Sequence, residues 1–313
     1  MENKCFVGID TSNYTTSAAI CTFDGEIVAN LKVPLPVREG DRGLRQSDAV
    51  FAHIKNMPAL FESLGESLKG YTVSAIGVSS KPRRIEGSYM PCFLSGVSAA
   101  SGMAATLHVP LYEFSHQEGH IMAAIYSSQA EVHDNFAAFH VSGGTTEVLY
   151  CKKLVAGFET DLVGGTKDLN AGQCIDRIGV AMGMKFPCGA EMDKLALENT
   201  EKIKGIRTSV NGLFCNLSGV ENLSLKAYRE KNDKKLVSAY TFEYIAKSLS
   251  AITDNLLAEY GDIPVIYAGG VMSSKYITNK LVRERSYFAS APFSADNAAG
   301  IALLCREKYL SNN

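Results

Sequence analysis

Long hydrophobic runs are missing from this sequence. No stretch of 18 apolar residues occurs, so no membrane-spanning helix is expected. The opening segment, MENKCFVGIDTS, lacks the extended apolar core of a secretory signal and reads directly as a strand. Paired cysteine motifs are missing too: Cys5, Cys21, Cys92, Cys151, Cys174, Cys188, Cys215 and Cys305 include no CxxC. That pattern excludes a zinc ribbon or a disulfide scaffold and implies reduced, mostly buried thiols in a cytoplasmic protein. Neither charge dominates, since 31 Lys and Arg against 33 Asp and Glu leave −2. A strongly basic nucleic-acid binder is thereby excluded by bulk charge, and any RNA contact must be local or helped by a partner. Low-complexity tracts and extended linkers are absent. What remains is 313 residues, 46% hydrophobic and 20% charged, enough for two ordinary domains or one large one with ample core.

Two segments open alike. Cys5–Asp10, Thr16–Phe23 and Glu26–Val33 read as three short strands with a turn at Asp24-Gly25. Phe136–Ser142, Thr146–Cys151 and Val155–Val163 repeat the pattern, with a polar break at Lys152-Lys153. Helical patterns alternating with strands follow each meander, as at Val73–Ser79, Val109–Phe114, Val265–Ala268 and Tyr287–Ala289. The order implies two similar α/β lobes, residues 1–130 and 131–313, with a cleft between them. Residues 186–232 read as an insertion in the second lobe, including the loop Asn211–Gly219, and a long amphipathic helix runs from Lys234 to Tyr260.

Chemistry concentrates in short motifs. In His116-Gln117-Glu118-Gly119-His120, helical spacing puts both imidazoles on one face, able to share a cation. The acid stands third rather than second, so Glu118 is not in the general-base slot of an HExxH protease, and two histidines alone are too few ligands. Two ordinary histidines, one in the core and one at the surface, are the competing reading. The first strand turn, Asp10-Thr11-Ser12-Asn13, could face a phosphate or hold magnesium, or form an ordinary Asx turn. In Ser142-Gly143-Gly144-Thr145-Thr146 adjacent glycines let backbone N–H groups approach an anion, unless the segment is a plain hairpin turn. Gly269-Gly270 follow an apolar strand and would let a flat adenine or ribose lie against the backbone. GxGxxG spacing is lacking, so a Rossmann dinucleotide site is not expected. Asp296 opens the last helix, as its cap or as a ligand.

Two lobes with phosphate-facing first turns and an adenosine-type Gly-Gly junction describe an actin-like ATPase fold, a duplicated ribonuclease H-like α/β architecture. The motifs resemble those of the threonylcarbamoyl-adenosine transferase family: HxEGH at His116–His120, SGGHT at Ser142–Thr146, FSFSGL at Phe214–Gly219, GGV at Gly269–Val271, and a late Asp-Asn at Asp296-Asn297. The resemblance runs from about residue 5 to 308. It implies that His116, His120 and Asp296 ligate one divalent ion, iron or zinc. It also implies that His140, Val141, Ser142, Gly143 and Gly144 form the adenylate loop, that Asp176 holds the ribose, and that Gly189, Gly269, Gly270 and Ser274 line the same site.

The implied reaction moves a threonylcarbamoyl group from threonylcarbamoyl-AMP to N6 of the adenine beside the tRNA anticodon. An ATP-type nucleotide is the other ligand the fold suggests, and the protein partners of a threonylcarbamoyl-transfer complex are implied as well. This chain departs from the family in four places. The paired acids of ETSCDET are missing after Asp10-Thr11-Ser12, Thr145 replaces the histidine of SGGHT, and Ser274 replaces an asparagine. The glycine-rich PGLVGAL segment is replaced by Pro82–Met90, PRRIEGSYM. A different acceptor, or a non-catalytic subunit of a tRNA-modification complex, are the alternatives these departures leave open.

Overall fold

Runs of β-branched and small apolar residues at the start of the chain form β1 (Lys4–Thr11), β2 (Thr15–Thr22) and β3 (Ile27–Pro34), an antiparallel meander. The computed structural model describes residues 3–12, 14–36 and 44–313, so the expected turn residue Asn13 lies outside the described residues. Helix α1 (Gln46–Ser67) leads to β4 (Thr72–Lys81), α2 (Phe93–Leu107), β5 (Leu111–Ser115) and α3 (His116–Ser128). β4 and β5 add in parallel to give a sheet ordered β3-β2-β1-β4-β5.

The pattern then recurs. β6 (Asn135–Val141), β7 (Thr146–Lys153) and β8 (Phe158–Thr166) form the second meander. After α4 (Ala171–Ala181) and α5 (Gly189–Leu197), a hairpin of β9 (Ser209–Asn211) and β10 (Phe214–Asn216) turns at Gly212, whose φ is 59°. Helices α6 (Ser218–Lys231) and α7 (Lys234–Tyr260) follow, then β11 (Val265–Ala268), a short 3-10 turn at Gly270–Ser273, α8 (Lys275–Leu281), β12 (Ser286–Phe288), α9 (Ala291–Ser294) and α10 (Ala299–Asn312). The second sheet is ordered β12-β11-β6-β7-β8-β10-β9. Without the terminal hairpin it repeats the first sheet's order, with β6 in place of β1. The segment expected as a loop at Asn211–Gly219 is this hairpin and the start of α6, because Gly212 permits a tight turn. β8 begins at Phe158 rather than Val155, since Leu154 N–H donates to Gly157 O and closes a turn there.

Two compact units result. One takes the described residues up to Ser127 with Lys153–Glu159 and Ala295–Asn313; the other takes Ser128–Lys152 and Thr160–Ser294. The C-terminal helix was expected in the second lobe, but it belongs to the first unit for a physical reason. Gly8 and Gly77 are register partners on β1 and β4 and leave a flat track on the sheet. An added Cβ on Gly8 would lie 2.4 Å from Ala302 N, and one on Gly77 would lie 2.8 Å from Cys305 Cβ. α10 fills that track, and β1 is buried from Cys5 to Thr11. All eight cysteines are free and buried, and burial pushes most of their thiols well above the ordinary range. Among the described residues no helix is long and apolar enough to cross a membrane.

The helix track gives a test of packing. Gly8→Ala meets backbone that cannot rotate away and should lose about 1–3 kcal/mol of stability. Gly65→Ala, in the last turn of α1 with open space around its Cβ, should instead gain up to about 0.5–1 kcal/mol. Urea unfolding of both variants checks this, and equal stability in Gly8→Ala and the parent would refute the track.

Candidate functional site

The first cluster assembles from three distant segments of the first unit. Ser115 and Glu118 form a capping box at the start of α3: Ser115 N–H donates to Glu118 Oε2 at 2.9 Å and Glu118 N–H to Ser115 Oγ at 3.2 Å. That box fixes the first helical turn, and with it His116 and, one turn on, His120. Their Nε2 atoms are 2.9 Å apart, and Asp296 Oδ1 lies 3.6 Å from the first and 3.3 Å from the second. Asp296 was open to two roles, cap or ligand. Asn297 takes the capping role, its Oδ1 accepting from Ala299 N–H at 3.1 Å, and Asp296 faces the histidines.

Two imidazole nitrogens and a carboxylate oxygen within 4.8 Å of one another suit a divalent cation of intermediate softness. The donor chemistry fits. A buried carboxylate, Asp10, stands at His116 Nδ1 at 2.6 Å. With Nδ1–H donating there, His116 would offer its Nε2 lone pair to a bound cation in place of the proton that nitrogen otherwise carries. Burial opposes charge on His116, but the Asp10 and Asp296 carboxylates outweigh it and hold its pKa up at about 10. The same two histidines hold Asp296 well below the usual carboxylate range despite its burial. Asp10, expected as a phosphate- or magnesium-facing turn, has both oxygens committed inside the protein: Oδ1 accepts Ser12 N–H at 2.7 Å and Oδ2 serves His116. Its position is that of a support for a ligand.

Behind Asp10 stands His53 of α1, fully buried. Its Nε2–H donates to Ser12 O at 2.8 Å, which leaves Nδ1 to accept from the Thr16 hydroxyl at 2.9 Å, and burial lowers its pKa. The segment Pro82–Met90 has its own place in the same unit: Arg84 lies 3.3 Å from the buried Glu118 carboxylate. His53 and Glu118 were not singled out for these roles. The S-x-x-E spacing marks Glu118, whereas nothing local marks His53.

The second cluster is a cavity of 440 Å³ within the second unit, apolar over most of its wall. Gly143, Asp176, Gly189, Gly270 and Ser274 line it, together with Ile175, Asp193, Phe242 and Val271. The Ser142–Thr145 turn is closed by Ser142 N–H to Thr145 O at 2.7 Å, and α4 starts against it because Gly172 has no side chain; a Cβ there would lie 2.6 Å from Gly143 N. Gly269 has φ 99° and its Cβ would lie 2.3 Å from Val141 O, so only glycine fits. Asp176 accepts Cys188 N–H at 2.8 Å with Oδ1, and burial raises its pKa in spite of that bond. Its neighbour Arg177 pairs with Glu221, not with Asp176.

Of the other expected residues, Val141 is buried, His140 is half-buried on β6, and Ser142 and Gly144 hold the turn, Gly144 O accepting from Asn170 Nδ2 at 2.8 Å. Asp193, not anticipated, accepts from the Ser274 hydroxyl at 2.5 Å and from Lys275 and Tyr276 N–H at 3.1 Å, fixing the start of α8. Asp168 accepts from Leu217 N–H at 2.8 Å and from Ser218, anchoring the start of α6.

Residues 41–303 match the protein family described as tRNA N6-adenosine threonylcarbamoyltransferase. Proteins of that description from Phocaeicola vulgatus and Mycoplasmopsis synoviae are 27% and 26% identical to this chain. Each alignment covers 98% of this chain, with 94% of the first relative and 99% of the second. Among solved structures, the dehydratase component A of Acidaminococcus fermentans superposes with a TM-score of 0.55 at 15% identity, covering 98% of this chain and 99% of that one. Nucleotide-bound full-length HypF superposes with a TM-score of 0.59 at 13% identity over 98% of this chain, which spans 55% of that longer protein. These likenesses establish the actin-like ATPase fold.

The support given by Asp10 is measurable as metal affinity. Asp10→Asn keeps the shape but removes the charge behind His116, and should weaken divalent-metal binding by about 10–100-fold. His120→Ala should lose stoichiometric binding altogether. Competition against a chromogenic chelator reads both, and parental affinity in Asp10→Asn would show that the carboxylate does not support the site.

Proposed function

Since the chain belongs to the tRNA N6-adenosine threonylcarbamoyltransferase family, we propose that it transfers a threonylcarbamoyl group from threonylcarbamoyl-AMP to N6 of the adenine beside the tRNA anticodon. The observation that supports this reading best is the convergence of His116, His120 and Asp296, far apart in sequence, with their ligand atoms within 4.8 Å of one another. The adenylate portion fits the second-unit cavity of 440 Å³, a volume in the range of small-ligand sites. Gly143 and Gly270 offer backbone at the wall, where absent side chains let phosphate and adenosine come close. Asp176 is the ribose acceptor: among the described residues its Oδ2 has no protein hydrogen bond, so it is available to a hydroxyl donor.

His116, His120 and Asp296 would hold a divalent ion, iron or zinc, which when bound supplies Lewis-acid polarisation of an oxygen. With that ion bound, Asp10 would accept from Nδ1–H and keep His116 Nε2 directed at it. In the transfer, the adenine nitrogen bonds to the carbamoyl carbon as the bond from that carbon to the phosphate oxygen breaks, releasing AMP and a proton. AMP is a good leaving group, so the protein's work is chiefly positioning and charge stabilisation. tRNA and the protein partners of a transfer complex belong to the same reading.

A second reading keeps the adenylate chemistry with another acceptor. It draws on Pro82–Met90, where Arg84 is engaged with Glu118 in place of the family's glycines. Turnover of threonylcarbamoyl-AMP with tRNA and with small amines separates the two; turnover that is indifferent to tRNA would sink the first.

The ribose assignment stands on Asp176→Ala. Loss of hydrogen bonds to a charged group, worth about 1.5–3 kcal/mol, should weaken adenylate binding by about one to two orders of magnitude. Calorimetry with a non-hydrolysable adenylate analogue reads this directly, and unchanged affinity would reject the role.

A further inference from the structure

A second cavity, of 310 Å³, lies in the first unit behind the metal-ligand helix. Lys81 at the end of β4, Arg84, Tyr112 and Glu113 of β5, Glu118 of α3 and Lys308 of α10 line it. At about 100° per residue, Glu118 leaves α3 on the face opposite His116 and His120. The cavity is therefore separate from the histidine cluster while sharing a helix with it.

Its wall is rich in donors and short of free acceptors. Among the described residues, neither the Lys81 nor the Lys308 amino group has an ion pair or hydrogen bond. Nearby Lys153, by contrast, is neutralised by Glu307 at 2.7 Å. Glu118 is 3% exposed and already spent: Oε2 accepts from Ser115 N–H at 2.9 Å and from Ser115 Oγ–H at 2.8 Å, while Oε1 faces Arg84 at 3.3 Å. Glu113 is exposed at the rim and pairs with neither lysine. Lys81, Arg84 and Lys308 against Glu113 and Glu118 leave the wall with one positive charge in excess, and an anion entering the cavity meets two ammonium groups that no ion pair or hydrogen bond among the described residues holds. Phosphate oxygens only accept, carry two charges near neutrality, and suit donors arriving from several directions; a single planar carboxylate uses fewer of them.

We propose that this cavity binds a small phosphorylated ligand through Lys81, Arg84 and Lys308. It is a site distinct from the adenylate cavity of the second unit. Concavity favours a compact phosphomonoester over the backbone of a polynucleotide, whose phosphates would pass across the rim.

Calorimetry on the full chain tests this with inorganic phosphate, glycerol phosphate, malonate and a short single-stranded RNA as probes. Saturable binding of the two phosphate compounds is expected. Lys81→Ala and Lys308→Ala should each weaken it by about tenfold, the scale of one charge-assisted hydrogen bond. Both lysines are partly exposed, so these variants should keep the parental melting temperature in phosphate-free buffer. Asp176→Ala should bind phosphate as the parent does. Three results would overturn the proposal: no saturation with either phosphate compound, undiminished binding in the double lysine variant, or tighter binding of malonate or RNA than of phosphate.

Discussion

The histidine–aspartate cluster depends on a near-contact between two helix backbones. At Gly300 an added Cβ would lie 1.8 Å from Gly119 O and 2.9 Å from Ala123 N. From the other side, a Cβ at Gly119 would lie 2.9 Å from the end of the Ile301 side chain. The start of α10 therefore rests on α3 at the residue between the two histidines' turns, and Asp296 stands four residues before Gly300, ahead of the helix. A side chain at Gly300 would have to displace backbone, which moves the carboxylate away from the imidazoles. Gly300 is thus the packing requirement of the cluster, whereas at Gly119 an added Cβ would meet the movable end of Ile301.

Polar support is built onto that packing in layers. Asp10 reaches His116, Ser12 reaches Asp10, and His53 holds Ser12 O while accepting from Thr16, whose hydroxyl also receives Asn56 Nδ2–H at 3.1 Å. Apart from the buried Ser12 hydroxyl, the polar groups named in this chain each find a partner, and the orientation of His116 is set from the sheet and from α1 together. On the other face of α3, Glu118 ties the helix start to Ser115 and to Arg84. Arg84 belongs to the segment where bulky and charged residues replace the glycines of the family pattern. In this protein that segment meets α3 through an ion pair between the half-exposed Arg84 and the buried Glu118 carboxylate, and loss of Arg84 would leave that buried acid with one partner fewer.

How much of this the sequence makes legible differs by range. The long helix is readable at both ends: Asp233 caps it, accepting from Lys235 and Leu236 N–H, and Gly261 with φ 84° stops it. The two meanders are readable because alternation and turn residues act locally. The placement of α10 is not, since it is decided by Gly8 and Gly77 lying side by side on neighbouring strands. The histidine spacing is local and visible, but the partnership of Asp10 with His116 spans 106 residues and looks from the sequence like an ordinary strand-end turn. Asp193 and Asp168 escape notice for the same reason, because each acts on the start of a helix far along the chain.

The duplicated topology carries two different turns on one scaffold. β1 and β6 occupy the same place in their sheets, and each runs antiparallel to the next strand. At the end of β1 the residue is a carboxylate with both oxygens committed, turned toward an imidazole on α3. Past the end of β6 the residues are Gly143 and Gly144, around whose positions an added Cβ would meet nothing within 4 Å. The first turn is thereby filled with side-chain charge and serves a ligand cluster, whereas the second is emptied of side chains and lines a cavity. The difference between the two copies lies in these turns, and the sheet order that both copies share is the same on either side of it.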